Sequence, residues 1–122
     1  MREIKFRGIS TKSGQWLEGG FAKNDAYAYI LTPINLSSVM TFSWDKVDAK
    51  TVGQFIGLTD KNGKEIYEGD RVVTRWVDII NSEVDEKSIT ITSIFDYAIL
   101  AAILEAEEIE VIGNIYENAD RG

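Results

Sequence analysis

Short runs in which polar and apolar residues alternate recur along the whole chain. In residues 3–7 the charged Glu3, Lys5 and Arg7 alternate with Ile4 and Phe6. A period of two places every second side chain on the same face of an extended strand. Glycine, asparagine and serine between the runs indicate turns. The chain is therefore expected to be mainly β.

Further strands are predicted wherever the alternation or a β-branched run returns. They lie at residues 15–22, 27–31, 52–58, 65–67, 71–80, 88–95 and 110–116, with a weaker one at 38–44. Pro33 is expected to stop the third strand because proline cannot donate a ladder hydrogen bond. Residues 81–87 are expected to be a polar loop. Near 97–107 the alanine-rich, apolar composition predicts one short helix.

The clearest turn signal is Asp60-Lys61-Asn62-Gly63-Lys64. Asn-Gly favours positive φ at both central positions of a tight hairpin turn. A calcium loop would need a bidentate glutamate eleven residues after the first aspartate, where this chain has Arg71. The segment is therefore interpreted as a turn.

Composition removes most enzyme chemistry from consideration. The 122 residues include no cysteine and no histidine, and 44% are hydrophobic. One core is possible at this size, whereas disulfides, thiol nucleophiles, histidine bases and most transition-metal sites are excluded. No run approaches the roughly 20 apolar residues of a membrane-spanning helix. A single cytoplasmic domain without metal or cofactor, and without membrane contact, is expected.

The acidic residues lie mostly in the C-terminal part. Residues 1–75 hold 11 basic and 9 acidic side chains, but residues 76–122 hold 2 and 11. The excess of negative charge in residues 76–122 repels a phosphate backbone, so binding of nucleic acid is disfavoured. The acidic run is interpreted as a solvated face, with an acidic docking surface as the alternative.

Two weaker constellations could carry chemistry. Glu65, Glu68 and Asp70 could hold magnesium, but the preferred interpretation is that Glu65 and Glu68 flank a strand end and Asp70 accepts hydrogen bonds from turn amides. Basic and aromatic residues also alternate in a way that suits single-stranded nucleic acid, where bases stack on aromatic rings. The candidate binding residues are Trp16, Arg71, Arg75 and Trp76. The alternative is that the aromatic rings fill the core and the bases form its solvated opposite face.

Three stretches stand out together, namely REIKFR at residues 2–7, TVGQFIGLTDKNGKEIYEGD at 51–70 and IEVIGNIYEN at 109–118. These stretches, about 36 of the 122 positions, resemble the YopX family of small bacteriophage and prophage proteins. The chain departs from the family after Asn118, and little is similar between Arg75 and Glu108. The resemblance implies a phage or prophage origin, a host-cell cytoplasm and a homo-oligomer. It brings no activity and no catalytic residue.

The matching motifs are interpreted as scaffold. Their large side chains are expected in the core, namely Phe55, Ile56, Ile66, Tyr67, Ile112, Ile115 and Tyr116. The expected fold is a β-rich α+β domain in which N-terminal β-hairpins (residues 1–68) pack on a small C-terminal SH3-like barrel (69–118).

The leading functional hypothesis is a non-enzymatic phage accessory protein that self-assembles and binds a host or phage protein. An unusually apolar helix on a small domain is typical of an interface. The candidate interface residues are Ala98, Ala101, Ile103 and Leu104. The alternative function is a β module that binds single-stranded nucleic acid.

Overall fold

The structure, a computed structural model, describes residues 4–37, 39–77, 79–93 and 96–116. They form nine β-strands, one α-helix and one turn of 3₁₀ helix, which confirms the mainly β prediction. The chain divides into two compact units, Met1–Phe55 and Ile56–Gly122, called here unit 1 and unit 2. The prediction of a single domain with portions 1–68 and 69–118 stays a prediction.

Unit 1 is a run of consecutive antiparallel hairpins. Its strands are β1 (Phe6–Ile9), β2 (Trp16–Lys23), β3 (Ala28–Leu36) and β4 (Val39–Val47), in the spatial order β4-β3-β2-β1. The 3₁₀ turn Ala49–Thr51 follows, and β1 pairs on its other side with Gly53 and Gln54, the first residues of β5 (Gly53–Thr59). A bridge between Ser10 and Val47 brings the ends of β1 and β4 together. The predicted N-terminal hairpins are therefore present.

The core of unit 1 lies on one face of these strands. Ala28, Ile30 and Val47 are buried there, with Phe6, Leu17, Phe21 and Val52 packed against them. At Gly19 a Cβ would overlap the carbonyl oxygen of Leu31, so only glycine allows β2 and β3 to approach this closely.

Pro33 does not end β3, and that prediction was wrong. The strand continues to Leu36, and Pro33 lies opposite Phe42 of β4. Pairing with β2 ends at Leu31, so in the described residues no neighbour on that side requires an N–H from Pro33. Proline is tolerated where its missing donor faces an unpaired side.

Unit 2 contains the rest of β5 and five further elements. They are β6 (Glu65–Tyr67), β7 (Asp70–Val77), β8 (Val84–Thr90), α1 (Tyr97–Glu105) and β9 (Glu108–Asn114). Strands β8, β7 and β9 form a three-stranded antiparallel sheet in that order. The predicted helix is confirmed, but the SH3-like barrel is not, because no sheet closes in the described part of the chain.

Strand β8 begins earlier than its sequence predicted. Residues 84–87 were expected in a loop because they are polar, yet they pair with Thr74 to Val77 of β7. Residues 84–88 are exposed, so their side chains do not need to be apolar. Glu86 lies opposite Arg75 and forms an ion pair with it at 2.8 Å, which stabilises this part of the strand.

The loop at residues 60–64 is organised by the side chain of Asp60. Oδ1 accepts hydrogen bonds from the backbone N–H of Asn62 at 2.8 Å and of Lys64 at 2.9 Å. Oδ2 accepts one from the N–H of Val111, at 2.9 Å. Burial on its own would raise the pKa of this carboxyl, but the three donors hold the pKa below its ordinary value. Asp60 thus shapes the turn and attaches it to β9.

The backbone of this turn differs from the predicted one. Gly63 has a φ of 80°, but Asn62 does not have a positive φ. Gly63 N donates to Asp60 O at 3.0 Å and Asp60 N donates to Lys64 O at 2.8 Å. This is the pattern of a three-residue loop, a type I turn followed by a left-handed glycine. Positive φ at both central positions was therefore wrong.

The core of unit 2 lies between the sheet and the helix. Its buried residues are Ile56, Ile66, Val72, Ile91 and Ile103, with Leu58, Ile89, Ile99, Ile109 and Val111 packed against them. Phe55, Ile56, Ile66 and Tyr67 are buried as predicted, but Ile112 is 53% exposed, Ile115 is exposed and Tyr116 is half-buried. Because Ile109 and Val111 face inward, strand alternation turns Ile112 outward.

Candidate interaction surfaces

The largest exposed apolar side chains of unit 1 lie on β4. Met40, Phe42 and Trp44 are 63%, 50% and 61% exposed. Their spacing of two residues places them on the same face of the strand, opposite the face on which Val47 is buried. Side chains of this size are usually found inside a protein, so three exposed in a row make this face a candidate interaction surface. This face of the β3–β4 hairpin is called here the hairpin face.

Aromatic contacts extend the hairpin face onto β3. The rings of Tyr29 and Trp44 meet edge to face with centroids 6.0 Å apart, and Tyr27 and Tyr29 do so at 6.4 Å. Lys46 Nζ lies 4.1 Å from the centroid of the Tyr27 ring. Such contacts hold each ring in place before any partner arrives, which lowers the entropic cost of binding.

A shallow cleft of about 420 Å³ lies beside Trp44. Its lining combines one aromatic ring with hydroxyl and charged groups, and consists of Ser10, Thr11, Lys12, Trp44, Asp45 and Lys46. The cleft therefore offers stacking and hydrogen-bonding groups, and two lysines to one aspartate.

Helix α1 exposes only part of the predicted interface. Leu104 is 72% exposed and Ala98 and Ala101 are exposed, whereas Ile103 is 2% exposed and packs in the unit 2 core. Asp96 caps the helix by accepting hydrogen bonds from the N–H groups of Ala98 and Ile99. An interface on this helix can therefore use Ala98, Ala101 and Leu104, but Ile103 serves folding.

Arg75 is surrounded by three carboxylates. Its Nε donates to Glu86 at 2.8 Å, Nη1 to Glu108 at 2.9 Å and Nη2 to Glu110 at 3.0 Å. Lys61 Nζ also lies 3.6 Å from Glu108. Part of the acidic C-terminal run is thus neutralised within unit 2. A phosphate would have to displace these carboxylates to reach Arg75.

In unit 2, neither Arg71 nor Trp76 shares a site with Arg75. Arg71 is exposed at the other end of β7, and the half-buried Trp76 follows Arg75 directly, so strand alternation turns it to the opposite face. Trp16 belongs to unit 1, where its ring lies 4.4 Å from the guanidinium carbon of Arg7. Within unit 2, the structure therefore does not bring Arg75 and Trp76 together.

The charge cluster around Arg75 predicts a salt-dependent stability. Hydrogen bonds to Glu86, Glu110 and Glu108 raise the pKa of Arg75, and the bond from Arg75 lowers that of Glu108. We expect Arg75→Met to lower the melting temperature by a few degrees at low salt, since three carboxylates then face each other. Added salt should reduce the difference in melting temperature between the natural chain and the variant, because it screens that repulsion.

Acid should also reduce the difference in melting temperature between the natural chain and Arg75→Met. A lowered pKa of Glu108 means that its contribution is present above the ordinary value of 4.5 and is lost as the pH falls through the lowered one. Thermal melts at neutral pH and near pH 4, at low and high salt, measure both effects. Arg71→Met is the matched control on the same strand, and an equal fall in both variants would contradict the cluster's role.

No metal site is found in the described residues, where no three carboxylates are placed to hold an ion. Asp70 Oδ2 instead accepts a hydrogen bond from the N–H of Tyr67 at 2.9 Å, which confirms its predicted role in a turn. The magnesium hypothesis for Glu65, Glu68 and Asp70 therefore has no geometric support. None of the described helices is long and apolar enough to cross a membrane.

Sequence reasoning missed the hairpin face, although a signal was present. Met40, Phe42 and Trp44 alternate with Thr41 and Ser43, which predicts a strand with one apolar face. Such a face is ordinarily expected to point into the core. Periodicity shows that the face exists, but not what covers it.

Comparisons with known proteins agree on the family and the fold. A family model described as YopX protein matches residues 5–121. The crystal structure of protein EF1440 from Enterococcus faecalis is similar at a TM-score of 0.54 and 21% identity, over 99% of each chain. No curated protein matches the chain. At that identity the structural likeness shows the fold alone.

Proposed function

We propose, from the premise that this chain belongs to the YopX protein family, that it is a non-enzymatic accessory protein of a phage or prophage. It acts in the host cytoplasm by assembling with itself and by binding a host or phage protein. The observation that carries the proposal is the hairpin face, with Met40, Phe42 and Trp44 each at least half exposed. Contiguous exposed apolar surface is typical of protein interfaces.

The composition of the hairpin face supports a protein partner. Tryptophan, tyrosine, phenylalanine and methionine are the residue types enriched at interface cores, and Tyr27, Tyr29, Met40, Phe42 and Trp44 supply all four. Preformed ring contacts favour binding without rearrangement of the partner-facing surface.

Sedimentation velocity over a roughly thousandfold concentration range tests the assembly part of this proposal. We expect the mean mass to rise with concentration for the natural chain. A variant with Met40→Ser, Phe42→Ser and Trp44→Ser should stay a monomer over the same range. A natural chain that is monomeric throughout would remove the proposal of self-assembly.

Binding of single-stranded nucleic acid is the second candidate, and the cleft beside Trp44 favours it. An exposed indole flanked by Lys12 and Lys46 combines a stacking surface with phosphate-binding charges. Oligothymidylate at low salt should then quench tryptophan fluorescence, and Trp44→Phe should remove most of the quenching. Absence of quenching in the natural chain would reject this candidate.

A further inference from the structure

Strand β4 is the last strand in the order β4-β3-β2-β1. In the described part of the chain its C-terminal end has a second neighbour: the N–H of Thr11 donates to the carbonyl of Lys46 at 3.1 Å, and Ser10 bridges to Val47. Among the described residues, positions 39–45 pair with β3 alone. Asp45, at the end of this segment, is its single charged residue, and the register with β3 has no bulge, so most of the edge is a template for another strand.

The contact at Lys46 shows which backbone groups face the open edge. Its carbonyl points away from β3, and in an antiparallel strand every second residue has its N–H and C=O on the same side. Trp44, Phe42 and Met40 therefore also present their backbone groups to the open edge. Pro33 opposite Phe42 agrees with this, because that pair needs no N–H from Pro33.

The open segment is complementary to itself. Its midpoint is Phe42, so antiparallel pairing about a twofold axis there sets Phe42 opposite Phe42 and Met40 opposite Trp44. These residues carry both the outward backbone groups and the exposed apolar side chains. Pairing would therefore join the hairpin faces of two copies into one continuous apolar surface.

Charge favours a second copy at this position over contact elsewhere. Residues 28–47 contain one acid, Asp45, and one base, Lys46, so two hairpins meet without net repulsion. Residues 56–122 contain 15 acidic and 6 basic side chains, and two such surfaces repel each other. This edge carries little charge, so two copies approach each other more easily there than through the acidic unit 2.

The contact area is small. Half-exposed aromatic side chains and the strand edge would bury on the order of 400 Å² of each copy, against about 800 Å² in a standard interface. A weak dimer that depends on concentration is therefore expected.

We propose that residues 39–45 of β4 pair antiparallel with the same residues of a second copy, across a twofold axis at Phe42. This inference rests on the proposed self-assembly and identifies the surface through which two copies associate. Hydrogen bonds from Met40, Phe42 and Trp44 give affinity, and their side chains set the register.

Cysteine cross-linking tests the register directly, because the natural chain has no cysteine. Phe42→Cys would bring two Cα atoms to about 5.5 Å across the axis, within disulfide range. Val39→Cys is the control, since the two copies of that position would lie about 20 Å apart. We expect Phe42→Cys to form a disulfide dimer at least tenfold faster on mild oxidation. Equal rates would overturn the register.

Charge substitutions distinguish pairing through β4 from the more general proposal of self-assembly. Phe42→Lys places two like charges on the axis and should raise the concentration for dimer formation at least tenfold, whereas Ile79→Lys, at a 93% exposed position outside the candidate surfaces, should leave it unchanged. If the natural chain dimerises and Phe42→Lys has no effect, pairing through β4 is wrong but self-assembly stands. A monomeric natural chain overturns both. Far-UV circular dichroism checks that Phe42→Lys is folded, and the cross-linking comparison does not depend on that variant.

Discussion

Replacing Ile103 by aspartate is expected to unfold unit 2. Ile103 is 2% exposed and packs with Ile56, Ile66, Val72 and Ile91. A carboxylate at that position would lose hydration without gaining a partner, at a cost of more than about 4 kcal/mol. Thermal melts followed by circular dichroism, together with amide NMR spectra of the residues in 56–116, measure the loss. A melting curve like that of the natural chain would contradict the described core.

Leu104→Asp is the control for this prediction and also tests the helix interface. Leu104 is adjacent in sequence but 72% exposed, so aspartate there should change the stability of the monomer by less than about 0.5 kcal/mol. If Ala98, Ala101 and Leu104 form an oligomer interface, Leu104→Asp should weaken assembly while the fold remains. Unchanged assembly would leave the helix without a part in it.

The strands were largely predictable because each carries its own local signal. The alternation in residues 15–22 and the apolar run at 52–58 correspond to β2 and β5 within one or two residues. Strand β8 was placed too late, because residues 84–87 lack apolar alternation and Glu86 instead forms an ion pair with Arg75 opposite it. Pairing partners are a property of the folded sheet, so a single run of residues cannot reveal them.

The faces of the strands were harder to predict than the strands themselves. Ile112 and Trp44 were assigned to the core or left without a role, yet both are exposed. Arg75 was a candidate residue of the alternative nucleic-acid hypothesis, but its carboxylate partners at positions 86, 108 and 110 lie on two other strands. Whether a side chain is covered or paired depends on residues far away in sequence, and the candidate surfaces consist of such residues.

The Asp60 loop shows how local and distant determinants combine. The DKNG segment indicates a turn from four residues alone. The third hydrogen bond, from the N–H of Val111, joins residues that are 51 positions apart, and no local sequence pattern predicts it. This contact makes an ordinary hairpin loop part of the tertiary structure of unit 2.

Asp60→Asn is therefore expected to destabilise unit 2 by about 1–3 kcal/mol at neutral pH. The carboxylate accepts three backbone hydrogen bonds, whereas an amide has one oxygen and would turn its own N–H donors toward either Val111 or the turn. Hydrogen exchange at the amides of Asn62, Lys64 and Val111 should accelerate in the variant. Asp25→Asn, at an exposed position of unit 1, is the matched control and should leave these amides unchanged.

The pH dependence of stability provides a second test of the Asp60→Asn prediction. Because the folded state lowers the pKa of Asp60, its contribution is fully present above the ordinary value of 3.8 and is lost as the pH falls through the lowered value. The natural chain should therefore lose stability on acidification in that range, and Asp60→Asn should lose less. The difference between the two chains must shrink as the pH falls, since protonated Asp60 and asparagine are both neutral. A difference that stays constant down to about pH 2 would show that the variant acts through packing and not through the carboxylate charge.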